Sequence, residues 1–154
     1  AFLWHLGTMM DRGPVPEESY VVPLGVAEVK REGSDVTLVA NGFQYKNAQV
    51  VADKLAGEIS VEIIDPRSFS PLDIGTILRS LEKTGRLVVV DESWESRSTA
   101  SEIAAQVVDL GFDLLDAPIR RVTIPNMPLP GGHMEPYVAP NPAAIEAAVR
   151  DVCR

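Results

Sequence analysis

The chain has 154 residues, enough for one domain with a sizeable core and no staples. Acidic residues exceed basic ones, 22 to 14, and the basic ones are scattered, which argues against a nucleic-acid partner because that binding needs a concentrated cationic face. One cysteine, Cys153, allows no intrachain disulfide. No run of about 18 apolar residues reads as a bilayer span and Ala1 to Leu6 lacks the basic flank of a secretory signal, so a cytoplasmic location without a membrane partner is expected.

Residues 1–24 do not read as the start of an independent fold. Phe2 to Leu6 suits a last strand of a preceding domain, and Gly7 to Pro23, with three prolines and two glycines, has linker chemistry. Residues 25–154 form the domain proper. Gly25 to Val29 alternates as a half-covered strand does, and Val36 to Ala40 is the first strongly apolar strand, closed by Asn41-Gly42. Ala48, Val51, Ala52 and Leu55 share one helical face, and Gly57 supplies the stop.

Val61 to Ile64 reads as a strand covered on both faces and stopped by Pro66, with Arg67 on the loop beyond. Ser70 is the expected helix cap, with Pro71 at the first helical position and Asp73 completing a capping box. Ile74, Ile77, Leu78 and Leu81 then form an apolar stripe that Gly85 ends. Leu87 to Val90 is apolar enough to be a central strand. Thr99 and Glu102 have capping-box spacing before a stripe of Ala100, Ile103, Ala104 and Val107 that runs up to Gly111. Ile119 to Ile124, interrupted by Arg120 and Arg121, suits an edge strand. After a loop from Pro125 to Pro140, Asn141 caps a helix with Pro142 first and Ile145, Ala148, Val149 and Val152 inward.

Strands alternating with helices predict an α/β domain whose mostly parallel sheet has helices on both faces. Right-handed crossovers then gather the strand-to-helix loops on one rim: Asn41 to Gln44, Asp65 to Ser70, Asp91 to Arg97, and Pro125 onward. That rim carries no glycine-rich phosphate loop. The two histidines, His5 and His133, and the remote Cys153 do not make a metal cage. Asp65, Asp91 and Glu92 are the acid/base candidates, although carboxylates at strand ends more often cap helices or pair with an arginine, here Arg67 or Arg97. A phosphoacceptor domain would need a lysine at the end of a late strand, and none follows Lys83. Trp94 suits packing or an interface. The other use of such a rim is a small-ligand-binding or regulatory module built on Asp65, Arg67 and Asp91.

The segments Arg31 to Val39, Glu62 to Asp73 and Leu115 to Val122, with the Met127-Pro128-Leu129-Pro130 loop, resemble the C-terminal, transketolase-like domain of the β subunit of thiamine-diphosphate-dependent 2-oxoacid dehydrogenases. The resemblance runs over about residues 20–154, in order. It implies a three-layer α/β/α sandwich on a five-stranded mostly parallel sheet with one antiparallel strand. It further implies a parent enzyme that decarboxylates a 2-oxo acid on thiamine diphosphate and magnesium and passes the acyl group to lipoamide. In that family the cofactor pocket lies between the α subunit and the β subunit's N-terminal domain. No catalytic, cofactor or metal residue is therefore expected here, and none of these groups should bind this chain alone. The implied partners are the α subunit, a second β subunit and the basic subunit-binding domain of the lipoyl acyltransferase. Asp116 matches the docking acid of the family's Leu-Asp-Ala-Pro motif, and the C-terminal Arg154 belongs to the same surface. Asp113 adds a second negative charge nearby. Arg97-Ser98 replaces a usual glycine pair, and Gly131-Gly132-His133-Met134 departs from the usual segment after the Pro-x-Pro. Pyruvate, a branched-chain oxo acid and acetoin all remain open as substrates.

Overall fold

The computed structural model describes residues 5–154. Five strands form one sheet: β1 (Glu28–Arg31), β2 (Val36–Ala40), β3 (Val61–Asp65), β4 (Leu87–Trp94) and β5 (Arg120–Ile124), in the order β1-β3-β2-β4-β5. β2, β3, β4 and β5 are mutually parallel, and β1 runs antiparallel to β3. Between them lie α1 (Gly42–Leu55), α2 (Ile74–Thr84) and α3 (Thr99–Gly111), and α4 (Pro142–Val152) closes the chain.

The alternation of side chains along each strand sorts the core into two layers. Leu38, Ala40, Ile63, Val88 and Val90 meet Ala48, Val51 and Leu55 of α1 and Ile145 and Val149 of α4. Val39, Ile64, Leu87 and Val89 face the other way, onto Ile77 and Leu81 of α2 and Ile103 and Val107 of α3. The result is the α/β/α sandwich with a five-stranded mixed sheet. β2 is buried at all five positions, as a strand in the middle of a sheet covered on both faces must be.

Several boundaries differ from those the sequence predicts. Phe2 to Trp4, in the expected lead-in strand, lie outside the described residues, and Leu6 belongs to a short 3-10 helix, Leu6–Thr8. β1 begins at Glu28, not Gly25, because Gly25 turns at φ 75° and gives its N–H to Ser68 Oγ. The cap of α2 is Asp73, not Ser70. One carboxylate oxygen of Asp73 accepts the Thr76 N–H and the other accepts the Ala27 N–H, so a single side chain starts the helix and ties it to the approach of β1. Burial pushes the Asp73 carboxyl up, but these bonds and the Thr76 hydroxyl outweigh it and hold it below the usual carboxylate range. α3 is capped by Ser98, one residue before Thr99, and Ser98 Oγ accepts the Ser101 N–H at 3.1 Å. β4 does not stop at Val90 but continues to Trp94, and it lies beside the central β2. The Asn141 cap, the helix stop at Gly85, which adopts the αL conformation, and the edge position of β5 stand.

Candidate functional site

The four parallel strands end on one rim, where the sheet's connections diverge: β2 leads into α1 on one face, and its neighbour β4 leads into α3 on the other. A doubly wound domain takes its ligand in that crevice. Here the chain's own side chains fill it. Asp91, at the end of the apolar part of β4, turns its carboxylate onto the start of α3, where Oδ2 accepts the Ala100 N–H at 3.1 Å and Oδ1 the Ser93 N–H at 3.0 Å. Pro66 and Phe69 close over Val39, Val89 and Ile103, leaving about 10 Å³, space for roughly one water. A helix start that already carries a carboxylate, in so small a space, does not fit a diphosphate.

The remaining rim candidates are also engaged. Asp65 Oδ1 accepts the Arg67 N–H at 2.9 Å, and the Arg67 guanidinium pairs with Glu28. Arg67 and Arg97 adopt φ of 56° and 61°, so each loop reverses sharply there. Glu92 accepts the Gln44 amide at 2.7 Å and meets His5 Nε2 at 3.0 Å, while the His5 ring stacks on Phe43 with centroids 5.1 Å apart. His133 lies on an exposed 3-10 helix, Gly132–Tyr137. Trp94 gives its indole N–H to the Met127 carbonyl at 2.7 Å, so it fastens the Pro-x-Pro loop to β4. The rim thus uses its carboxylates as caps and ties, and Asp65, Arg67 and Asp91 do not converge. Asp91→Ala should therefore act on stability, costing about 1–2 kcal/mol in urea unfolding, with Asp91→Asn costing less because it keeps an acceptor. Among the described residues no group of three or more His, Cys, Asp or Glu side chains is placed to hold a metal, and no helix is long and apolar enough to cross a membrane.

The opposite end of the sheet carries the candidate docking residues. After α3 the chain makes a 3-10 turn, Phe112–Leu114, and Asp116 then gives its N–H to the Gly85 carbonyl at 2.7 Å. A Cβ at Gly85 would lie 3.2 Å from the Asp116 Cβ and would overlap its carboxylate, so glycine at that αL turn lets Asp116 seat there. Asp116 and Asp113 are both exposed. Asp116 lines a groove of about 490 Å³ between α3 and β5, with Val108, Phe112, Pro118 and Ile119. Arg154 is not in this groove. It follows α4 on the other side of the sheet and lies 3.4 Å from Asp151, which also binds Arg120 Nε at 2.6 Å. Asp113 and Asp116 thus lie on the stretch that follows α3, whereas Arg154 follows α4, which packs on the other face of the sheet. The apolar wall of the groove was missed in the sequence; its signal was Ala104, Val108 and Phe112, four residues apart along α3 and the turn after it.

Comparison with known proteins shows the family and the fold. Residues 25–145 match the family model for the transketolase C-terminal domain. The β subunit of an acetoin:2,6-dichlorophenolindophenol oxidoreductase from Bacillus subtilis (strain 168) is 53% identical over 120 residues, covering 77% of this chain and 35% of that protein. The pyruvate dehydrogenase E1 component subunit β of the same organism is 39% identical over 153 residues, covering 98% of this chain and 47% of the relative. This chain thus spans less than half the length of either relative. Among solved structures, a split-gene transketolase in an inactive β4 tetramer superposes with a TM-score of 0.77 at 23% identity, over 92% of this chain and 45% of that one, a likeness of fold.

Proposed function

Because this chain belongs to the transketolase C-terminal domain family, we propose that it is the assembly and docking domain of the β subunit of a 2-oxoacid dehydrogenase-type enzyme. The parent enzyme oxidatively decarboxylates a 2-oxo acid, or cleaves a related substrate, on thiamine diphosphate with magnesium and hands the acyl group to lipoamide. The cofactor and its activating carboxylate sit outside residues 25–154, in the N-terminal part of the β subunit and in an α subunit. Residues 1–24 are the end of that preceding part and the linker from it. The higher identity to the acetoin oxidoreductase β subunit than to the pyruvate dehydrogenase one favours an acetoin-oxidising parent.

The observation that carries this reading is the contrast between the two ends of the sheet. The rim where doubly wound domains bind ligands is filled by Asp91. The far end presents Asp116, backbone-anchored and exposed, beside an apolar groove. A fixed carboxylate next to apolar surface suits the basic subunit-binding domain of a lipoyl acyltransferase, with a second β subunit and the α subunit completing the assembly. Asp116→Lys should weaken binding of the cognate subunit-binding domain by at least about 1.5 kcal/mol, roughly tenfold, since reversal adds repulsion to the lost attraction. Calorimetric titration of the two purified partners measures this; unchanged affinity removes Asp116 from the interface.

A further inference from the structure

The groove beside Asp116 is the lower half of a longer furrow. Its upper half, about 790 Å³, runs between α3 and β5 towards Glu95 and Asn126, and the two halves share Ala104, Val108 and Arg121 as lining. We propose that the whole furrow seats a basic amphipathic helix from a partner protein. This inference rests on the docking reading above and extends it to a surface not assigned there.

Three observations carry it. Ala104 and Val108 lie one turn apart on α3, and Phe112, in the 3-10 turn after it, lines the same groove, so the three form one apolar strip. Val108 is 46% exposed and Phe112 66%, which leaves that strip facing solvent. The charge along it is almost wholly negative. Glu95 and Asp109 flank the upper half and Asp113 and Asp116 the lower, and no ion pair among the described residues engages any of the four. The single cation lining the furrow, Arg121, is exposed but held to the wall, donating to the Glu95 carbonyl at 2.7 Å and to Ser101 Oγ at 2.6 Å. A positive, apolar-striped helix complements this lining.

The other occupants fit less well. A second copy of this chain carries a net charge of −8 and would set its own acids against these. An added strand would have to pair with β5, whose exposed Arg120 and Arg121 are the kind of charge that blunts a free edge.

The test uses two synthetic 15-residue peptides with the same leucine stripe, one with lysines on its flanks and one with glutamates, titrated against the full chain by fluorescence anisotropy in low salt. The lysine peptide should bind at least tenfold tighter than its glutamate twin. Val108→Ser with Phe112→Ser should weaken it at least tenfold while the circular dichroism spectrum stays unchanged, because both side chains are already exposed. Asp109→Asn provides a second variant and should weaken it about threefold. Equal affinity for the two peptides, or a double serine variant that binds as wild type does, overturns the proposal. So does a concentration-dependent dimer in sedimentation that the serine variant abolishes, since a second copy would then hold the furrow. Titrating the cognate subunit-binding domain separates the two readings: if Asp116→Lys weakens it and the serine variant does not, the furrow falls and the docking reading stands. If the lysine peptide binds as expected while Asp116→Lys leaves the cognate domain unaffected, the furrow stands and that reading falls.

Discussion

Lys83→Met is expected to destabilise the fold by about 3 kcal/mol at neutral pH, because it strips the cation from a carboxylate that has no access to water. Glu62, on β3, is 0% exposed, and its Oε2 accepts Lys83 Nζ at 2.5 Å and the Gly33 N–H at 3.2 Å. Its Oε1 has no hydrogen-bond partner among the described residues, so the carboxylate has little in reserve once the lysine is gone. Burial pushes the Glu62 carboxyl up, but the Lys83 ammonium and the Gly33 N–H, with the Ser80 hydroxyl nearby, outweigh it and leave the group below its ordinary value. A depressed carboxyl stabilises the fold above its unfolded pKa, about 4.3, and that contribution fades as pH falls through the lower folded value. In Lys83→Met the largest opposing interaction is gone, and the long Gly33 bond is left against the burial. The folded carboxyl then rises above its unfolded value, and the penalty grows as pH rises. Urea unfolding of the two proteins should therefore diverge most near pH 7 and converge in acid. Replacing both residues, Glu62→Met with Lys83→Met, should recover more than half of the loss, since no charge is then buried. A double variant no more stable than the single one would show that the pair does not carry the effect.

Gly33→Ala should cost about 3 kcal/mol through the same corner of the molecule. Gly33, in the turn between β1 and β2, lies against β3 so closely that an added methyl would overlap the Glu62 nitrogen and the Val61 carbonyl carbon, with the Val61 oxygen 2.7 Å away. These are backbone atoms of a central strand pair and cannot yield as a flexible side chain would. The turn must lift, and the Gly33 N–H then leaves Glu62 Oε2. The losses from Gly33→Ala and Lys83→Met should sum to less than their separate values, because both act on the one carboxylate. Denaturation midpoints of the two single variants and the double one test this; full additivity would mean that the turn and the ion pair act independently.

How much of this was legible in the sequence follows from which signals are local. Val36 to Ala40 and Leu87 to Val90 are continuous apolar runs, and Asn141-Pro142 is a cap with its first helical residue, so both kinds of element could be read directly. The caps of α2 and α3 moved by one to three residues because Ser70, Asp73, Ser98 and Thr99 are all competent, and tertiary contacts chose among them. Asp73 was selected by the Ala27 N–H, 46 residues away in the chain. Pairing direction was not local either. β1 and β2 are joined by a short turn, yet β1 pairs with β3, and nothing in its four mostly polar residues announces that. Glu62 lies within Val61 to Ile64, which reads as a strand covered on both faces, but the run does not announce which residue would compensate the charge. Glu62 is buried because a sheet with helices on both faces has no outward side at β3, and Lys83 of α2 compensates it from above. At the end of the sheet where Asp116 and Asp113 lie, the motif match supplied Asp116 alone, and the contacts of Arg154 depended on the course of α4, which no motif encodes.

In the proposed function this domain helps assemble an enzyme whose chemistry is done by parts outside it. The most direct measurement is calorimetric titration of the purified 154-residue chain with thiamine diphosphate and magnesium, followed by assay of the mixture for turnover of pyruvate, a branched-chain oxo acid and acetoin. No heat beyond dilution and no product are expected, with turnover appearing once the α subunit and the N-terminal part of the β subunit are supplied. A saturable heat of cofactor binding, or turnover of any of the three substrates by the chain alone, would contradict it.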